Sequence, residues 1–129
     1  MDQNTHILYI EDDVDNQRLV SRILKNSDFS LKILPDSQTA LSYLDSNTPK
    51  LILVDIGLPD MDGKSFTKKV KERKDLTNIP IVALTAHVLR SDKESILASG
   101  CNGYIPKPIN VDKFQEQITQ FLIPSLSLE

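Results

Sequence analysis

LILVDIGLPDMDG, Leu51–Gly63, carries four apolar residues into Asp55 and then turns through Gly57, Pro59, Asp60 and Asp62. An apolar run without polar alternation suits a strand covered on both faces, and the glycine and proline behind it mark where the chain turns. A carboxylate placed where a buried strand ends must serve something. Whether the layout recurs decides the fold.

It recurs four times. HILYI ends before Glu11, FSLKIL follows Asp28, IPIVAL ends before Thr85, and GYI ends before Pro106. Longer amphipathic segments lie between these runs. From Val14 to Asn26, Leu19, Val20, Ile23 and Leu24 share a helical stripe while Arg18, Arg22 and Lys25 face water. Near the end, Val111, Phe114, Ile118 and Phe121 repeat at helical spacing, with Asn110 placed to cap the start. Ala40, Leu41 and Leu44, then Phe66 and Val70, supply apolar faces for two shorter helices within Thr39–Leu44 and Lys64–Arg73. Strand and helix in alternation predict an α/β chain of βαβ units on a parallel sheet, with five strands and five helices. The third and fourth strands should be central, and the imperfectly alternating FSLKIL should lie at an edge.

At 129 residues this is one domain. We expect a lead at 1–6, the folded unit at 7–122, and a tail at 123–129, where IPSLSLE has lost helical periodicity. A hydrophobic fraction of 40% and a charged fraction of 26% are those of a soluble globular chain. The net charge of -3, with 5% aromatics and no tryptophan, argues against direct nucleic-acid binding. No apolar run approaches the roughly 18 residues of a membrane span, and MDQNTH is no basic signal region. The expectation is a cytoplasmic protein without membrane contact. The single cysteine, Cys101, reads as a buried thiol in an apolar strand.

In an open parallel sheet, sites form at the carboxyl ends of the strands. Those ends carry Glu11, Asp12 and Asp13 after the first strand, Asp55 after the third, Thr85 after the fourth, and Lys107 beyond the fifth. Crowded carboxylates repel unless a cation sits among them. Mg²⁺, with Mn²⁺ as a substitute, fits best: it takes one or two carboxylates, other oxygens and several waters. Asp12, Asp55 and a backbone carbonyl from the following loop would meet that demand. Calcium lacks a spaced acidic loop here, and zinc lacks ligands, since His6 and His87 are distant in sequence. A metal, a lysine and a threonine hydroxyl clamp the oxygens of a phosphoryl group in transfer, and a carboxylate such as Asp55 can accept it as an acyl phosphate.

Each group also has a plainer reading. An acidic pair is usually solvated surface, a threonine at a strand end is usually just that, and a lone lysine usually faces water. DG within DMDG is first a turn, and KKVKERK (Lys68–Lys74) is most simply the wet face of a helix. Their coincidence at four strand ends of one sheet is what favours a site.

Those same residues resemble the receiver domains of two-component response regulators, over Ile7 to about Leu122. ILYIEDDVDN resembles the family's acidic opening, which implies Glu11 and Asp12 as its metal-site pair and Asp13 as a neighbour. LILVDIGLPDMDG resembles its acceptor strand and loop, implying Asp55 as phosphoacceptor, the Gly57 carbonyl as a metal ligand, and turns shaped by Pro59 and Gly63. IVALTA and GCNGYIPKPI resemble its last two strands, implying Thr85 and Tyr104 as switch residues, Lys107 as phosphate-binding lysine, and a cis Lys107–Pro108 bond. The implied fold is CheY-like: a doubly wound five-stranded parallel sheet, order 2-1-3-4-5, flanked by five helices.

The resemblance implies a phosphoacceptor that takes a phosphoryl group from a histidine kinase or histidine phosphotransfer protein. It would catalyse its own phosphotransfer and autodephosphorylation without turning over an external substrate. Thr85 and Tyr104 would then alter a docking face within Val88–Ser99 and Tyr104–Gln115, for a downstream partner or a phosphorylation-dependent homodimer. Gly57 and His87 would tune the phosphoryl lifetime, although His87 also reads as an exposed loop residue and Tyr104 as a packed aromatic. Two alternatives stand beside this: a non-phosphorylated interaction module on the same fold, and an aspartate-nucleophile phosphohydrolase. The latter normally has a second aspartate two positions after the nucleophile, where this chain has Gly57.

Overall fold

Five parallel strands form one sheet in the order β2-β1-β3-β4-β5, with β1 at Thr5–Ile10, β2 at Phe29–Leu34, β3 at Leu51–Asp55, β4 at Ile81–Thr85 and β5 at Gly103–Pro106. The computed structural model describes residues 5–58, 60–86 and 89–122. Pro59, His87 and the tail 123–129 lie outside them. The helices are α1 at Val14–Leu24, α2 at Ser37–Tyr43, α3 at Gly63–Lys71, α4 at Arg90–Ala98 and α5 at Phe114–Leu122, with a short 3₁₀ turn at Lys74–Leu76. FSLKIL lies at an edge as expected. β1 begins at Thr5, inside the anticipated lead.

Period-two geometry explains why the central strands are apolar throughout. Leu8, Ile10, Ile52, Val54, Ile81 and Ala83 face one way and pack with Leu41, Phe66, Val70 and Ile96 from α2, α3 and α4. Ile7, Tyr9, Leu51, Leu53, Val82 and Leu84 face the other way and pack with Val20, Leu24, Phe114 and Ile118 from α1 and α5. Every residue of β3 and β4 is buried. At about 1.5–3 kcal/mol for each large side chain fully removed from water, these two layers hold the strand ends in register.

The structure corrects three expectations. Val111, expected on the apolar stripe of the last helix, is 56% exposed and precedes α5, which starts at Phe114. Asn110 does lead into that helix as a cap: its Oδ1 accepts the Asp112 amide at 3.0 Å and its carbonyl the Phe114 amide at 2.9 Å. Cys101 is buried as expected but sits in the connection before β5, close to the Thr67 and Ser99 hydroxyls. In KKVKERK, Lys71 is no solvated residue: its ammonium donates to the carbonyls of Thr77 (3.1 Å) and Ile79 (2.9 Å), and burial holds its pKa down. Arg73 likewise reaches Asp45 at 3.0 Å.

Candidate functional site

Register brings the strand ends together. Asp55 lies beside Leu84, and Thr85 beside Pro106. Beyond the paired residues, the Lys107 amide donates to the Thr85 carbonyl at 2.8 Å, and the Glu11 amide donates to the Leu34 carbonyl at 2.9 Å. Each strand therefore delivers its last side chain to the same rim. The Lys107–Pro108 peptide is cis, as the resemblance implied.

Glu11, Asp12 and Asp55 form one cluster, with one carboxylate oxygen from each lying within 4.8 Å of the others. Lys107 Nζ stands 3.2 Å from Asp55 Oδ1 and 3.6 Å from Glu11 Oε1. At an effective dielectric constant of about 20, two carboxylates this close repel by about 3–4 kcal/mol. Three carboxylates facing one ammonium leave a formal charge of about -2 in a cleft, which a divalent cation offsets. The all-oxygen donor set fits a hard ion.

The three acids differ in setting. Glu11 is fully buried, and its pKa is raised by desolvation and by Asp55, against the opposing pull of Tyr9 and Lys107. Its Oε1 accepts the Tyr9 hydroxyl at 2.8 Å and its Oε2 the Asp13 amide at 3.3 Å. Asp55 is 9% exposed, and its Oδ1 accepts the Gly57 amide at 3.2 Å. Asp12 is exposed. Asp13, expected only as a neighbour of the pair, stays out of the cluster: its carboxylate accepts the Asn16 amide at 3.1 Å and caps α1. An acid directly before a helix meets unpaired backbone N–H groups, and these draw the carboxylate away from the cleft.

Thr85 is 2% exposed and, with Ile56, Asp62, Lys64, Asp92 and Ile96, lines a cavity of about 320 Å³ between α3 and α4. Tyr104 is half-buried against the α2–α3–α4 core, with Lys93 Nζ 5.5 Å from its ring centre. Space beside Gly57 is open: a Cβ there would meet nothing within 4 Å.

Two contributors escaped the sequence reading. Tyr9 reaches Glu11 because residues two apart on a strand share a face. Asp60 takes the Ser37 and Gln38 amides at 3.1 and 3.0 Å, and Ser37 Oγ donates to the Met61 carbonyl at 2.8 Å. That clasp ties the β3–α3 loop to the start of α2. Desolvation is the largest single effect and pushes the Asp60 pKa up, but the backbone donors together outweigh it and hold the pKa below its ordinary value.

A parallel 2-1-3-4-5 sheet with an acidic cleft opposite a lysine defines a signalling receiver. The response regulator receiver domain matches residues 7–119, and the chain belongs to that family. The polar-differentiation response regulator DivK of Brucella ovis is 34% identical over 116 residues, covering 90% of this chain and 94% of that protein. Among solved structures, the receiver domain of a sensor histidine kinase of Pseudomonas aeruginosa, with a magnesium ion coordinated in its active-site cleft, superposes with a TM-score of 0.84. It is 28% identical and covers 92% of this chain and 98% of that one. A co-crystal structure from Saccharomyces cerevisiae joins a histidine phosphotransfer protein to the receiver domain of its downstream response regulator. That match has a TM-score of 0.83 at 29% identity, covering 92% of this chain and 88% of that one.

Proposed function

We propose that this chain is a cytoplasmic phosphoacceptor whose Asp55 takes a phosphoryl group from a phosphohistidine, with Mg²⁺ bound, and that residues 7–122 act as one switching unit. The observation that carries the reading is the placement of Asp55: a nearly buried carboxylate 3.2 Å from an ammonium and clustered with two further acids. The histidine phosphotransfer partner of a similar receiver and the magnesium bound by another support it.

Asp12, Asp55 and the Gly57 carbonyl would hold the cation, with Glu11 beside them. When bound, the cation neutralises charge on the phosphoryl oxygens and lets an anion approach the acidic cleft. An Asp55 oxygen attacks phosphorus, the bond from phosphorus to the donor imidazole nitrogen breaks, and the imidazole leaves with its electron pair and takes up a proton. Lys107 pairs with the phosphoryl oxygens, and the Thr85 hydroxyl donates to another. Tyr104 then repacks toward the cavity beside Thr85, changing the α4–β5–α5 face presented to a downstream protein or a second copy.

Intact-protein mass after incubation with acetyl phosphate and Mg²⁺ tests this. A hydroxylamine-labile gain of about 80 Da, one phosphoryl unit, is expected, and Asp55→Asn and EDTA should both abolish it. A wild-type protein that gains nothing, even when quenched within seconds, would favour a constitutive docking module.

A further inference from the structure

We propose that Tyr9 is a positioning residue of the cleft: its hydroxyl occupies Glu11 Oε1, keeps Glu11 from capturing Lys107, and leaves the ammonium directed at Asp55. The inference rests on the phosphoacceptor reading of Asp55.

Tyr9 is fully buried within the layer under α1 and α5, where a phenol needs a hydrogen-bond partner. It finds one just past the end of its own strand in Glu11 Oε1, at 2.8 Å. Lys107 Nζ faces that same oxygen from 3.6 Å, beyond the roughly 2.7–2.9 Å of a strong charge-assisted bond, and stands nearer Asp55 Oδ1, at 3.2 Å. The other Glu11 oxygen is held by the Asp13 amide. Both oxygens of Glu11 are thus engaged by uncharged donors from its own strand and turn. Lysine is a point charge on a flexible stem, so its position follows the balance of the acceptors around it. Deleting the phenol oxygen leaves Glu11 Oε1, on a fully buried residue, short of a donor. The nearest replacement is Lys107, which would then move off Asp55.

Tyr9→Phe removes one oxygen and keeps the ring that fills the core. The cation arm uses Mg²⁺ alone, without a phosphodonor, and follows the backbone amides of Asp13 and Gly57, which report on Glu11 and Asp55. Both amide resonances should shift in cation-free Y9F. Its Mg²⁺ Kd should weaken about tenfold, the lower end of what loss of a supporting hydrogen bond does at metal sites. At saturating Mg²⁺, the maximal rate of phosphoryl uptake from acetyl phosphate should also fall about tenfold. Tyr43→Phe, whose hydroxyl pairs with His6 at 2.6 Å, should change none of these.

A Y9F protein with an unmoved Gly57 amide, and with Kd and rate within twofold of wild type, overturns the proposal. A wild type that takes up no phosphoryl group sinks the phosphoacceptor reading instead, while the amide and Mg²⁺ arms still decide whether Tyr9 positions Glu11. A second measurement needs no substitution: with the three tyrosines replaced by 3-fluorotyrosine, the Tyr9 fluorine signal should shift on adding Mg²⁺. If it stays fixed while the Gly57 amide moves, Tyr9 is only packing.

Discussion

The β1–α1 and β3–α3 turns are built from the same residue type and use it differently. In the first, three successive acids divide two roles: Glu11 and Asp12 turn to the cleft, and Asp13 caps α1. In the second the roles are spread along eight residues, with Asp55 in the cleft, Asp60 clasping α2, and Asp62 capping α3 through the Ser65 amide at 2.9 Å. The crowded turn holds the strained acid, Glu11, whose pKa is raised. In the spread turn, backbone donors hold Asp60 and Asp62 below the ordinary carboxylate range. What a carboxylate does here is decided by which backbone N–H groups lie within its reach.

Relief of the crowding gives the largest effect. At 100-fold excess over its Kd, a cation that binds only the folded state stabilises by about 2.7 kcal/mol. Urea unfolding with Mg²⁺ should therefore show a gain of that size over EDTA, and no gain would mean that the three acids do not share an ion.

The spread turn depends on the close approach of Gly63 to the end of β3. A Cβ at Gly63 would lie 3.0 Å from the Asp55 carbonyl oxygen and 3.1 Å from Ile56 Cα, both backbone atoms that cannot swing aside. Gly63→Ala should destabilise by about 1–3 kcal/mol, as overpacking does, and should slow phosphoryl uptake by displacing Asp55. Denaturant midpoints and uptake rates measured on one preparation check both effects.

Asp60→Ala should cost about 1 kcal/mol, the usual loss for a carboxylate that satisfies helix N-terminal donors. Its pH dependence follows from a depressed folded pKa: the contribution is complete above the ordinary value of 3.8 and is lost as pH falls through the lower folded value. The stability gap between wild type and Asp60→Ala should therefore be constant near neutrality and close in acid. A gap that persists unchanged well below that range would show that the clasp works by packing alone.

The smallest effect separates the two turns most sharply. Asp13→Asn preserves a capping oxygen, so stability and Mg²⁺ affinity should both stay nearly unchanged, whereas Asp13→Ala should lose about 1 kcal/mol and keep its Mg²⁺ affinity. Calorimetric titration with Mg²⁺ checks this, and a tenfold weaker Kd in Asp13→Asn would add Asp13 to the metal site.

Much of the fold was legible because burial dictates pattern. A strand covered on both faces must be apolar at every position, so LILV and IPIVAL announced the centre of the sheet, and FSLKIL announced an edge. The strand-end rule then gathered Asp12, Asp55, Thr85 and Lys107 at one rim. Local competition was harder to read. Asp13 turned to α1 while Glu11 and Asp12 face the cleft, because side chain to backbone bonds depend on where each amide points. The clasp from Asp60 to Ser37 spans 23 residues and has no periodic signature.

By itself the sequence determined the alternation of elements, the apolar layers and which polar groups stand at the strand ends, all of which follow from one-dimensional spacing and residue chemistry. Tertiary structure alone decided which acid faces the cleft, which caps a helix, and that Lys107 lies nearer Asp55 than Glu11. Those outcomes turn on differences of a few tenths of an ångström among competing donors, and only the packed register of neighbouring strands sets distances that fine.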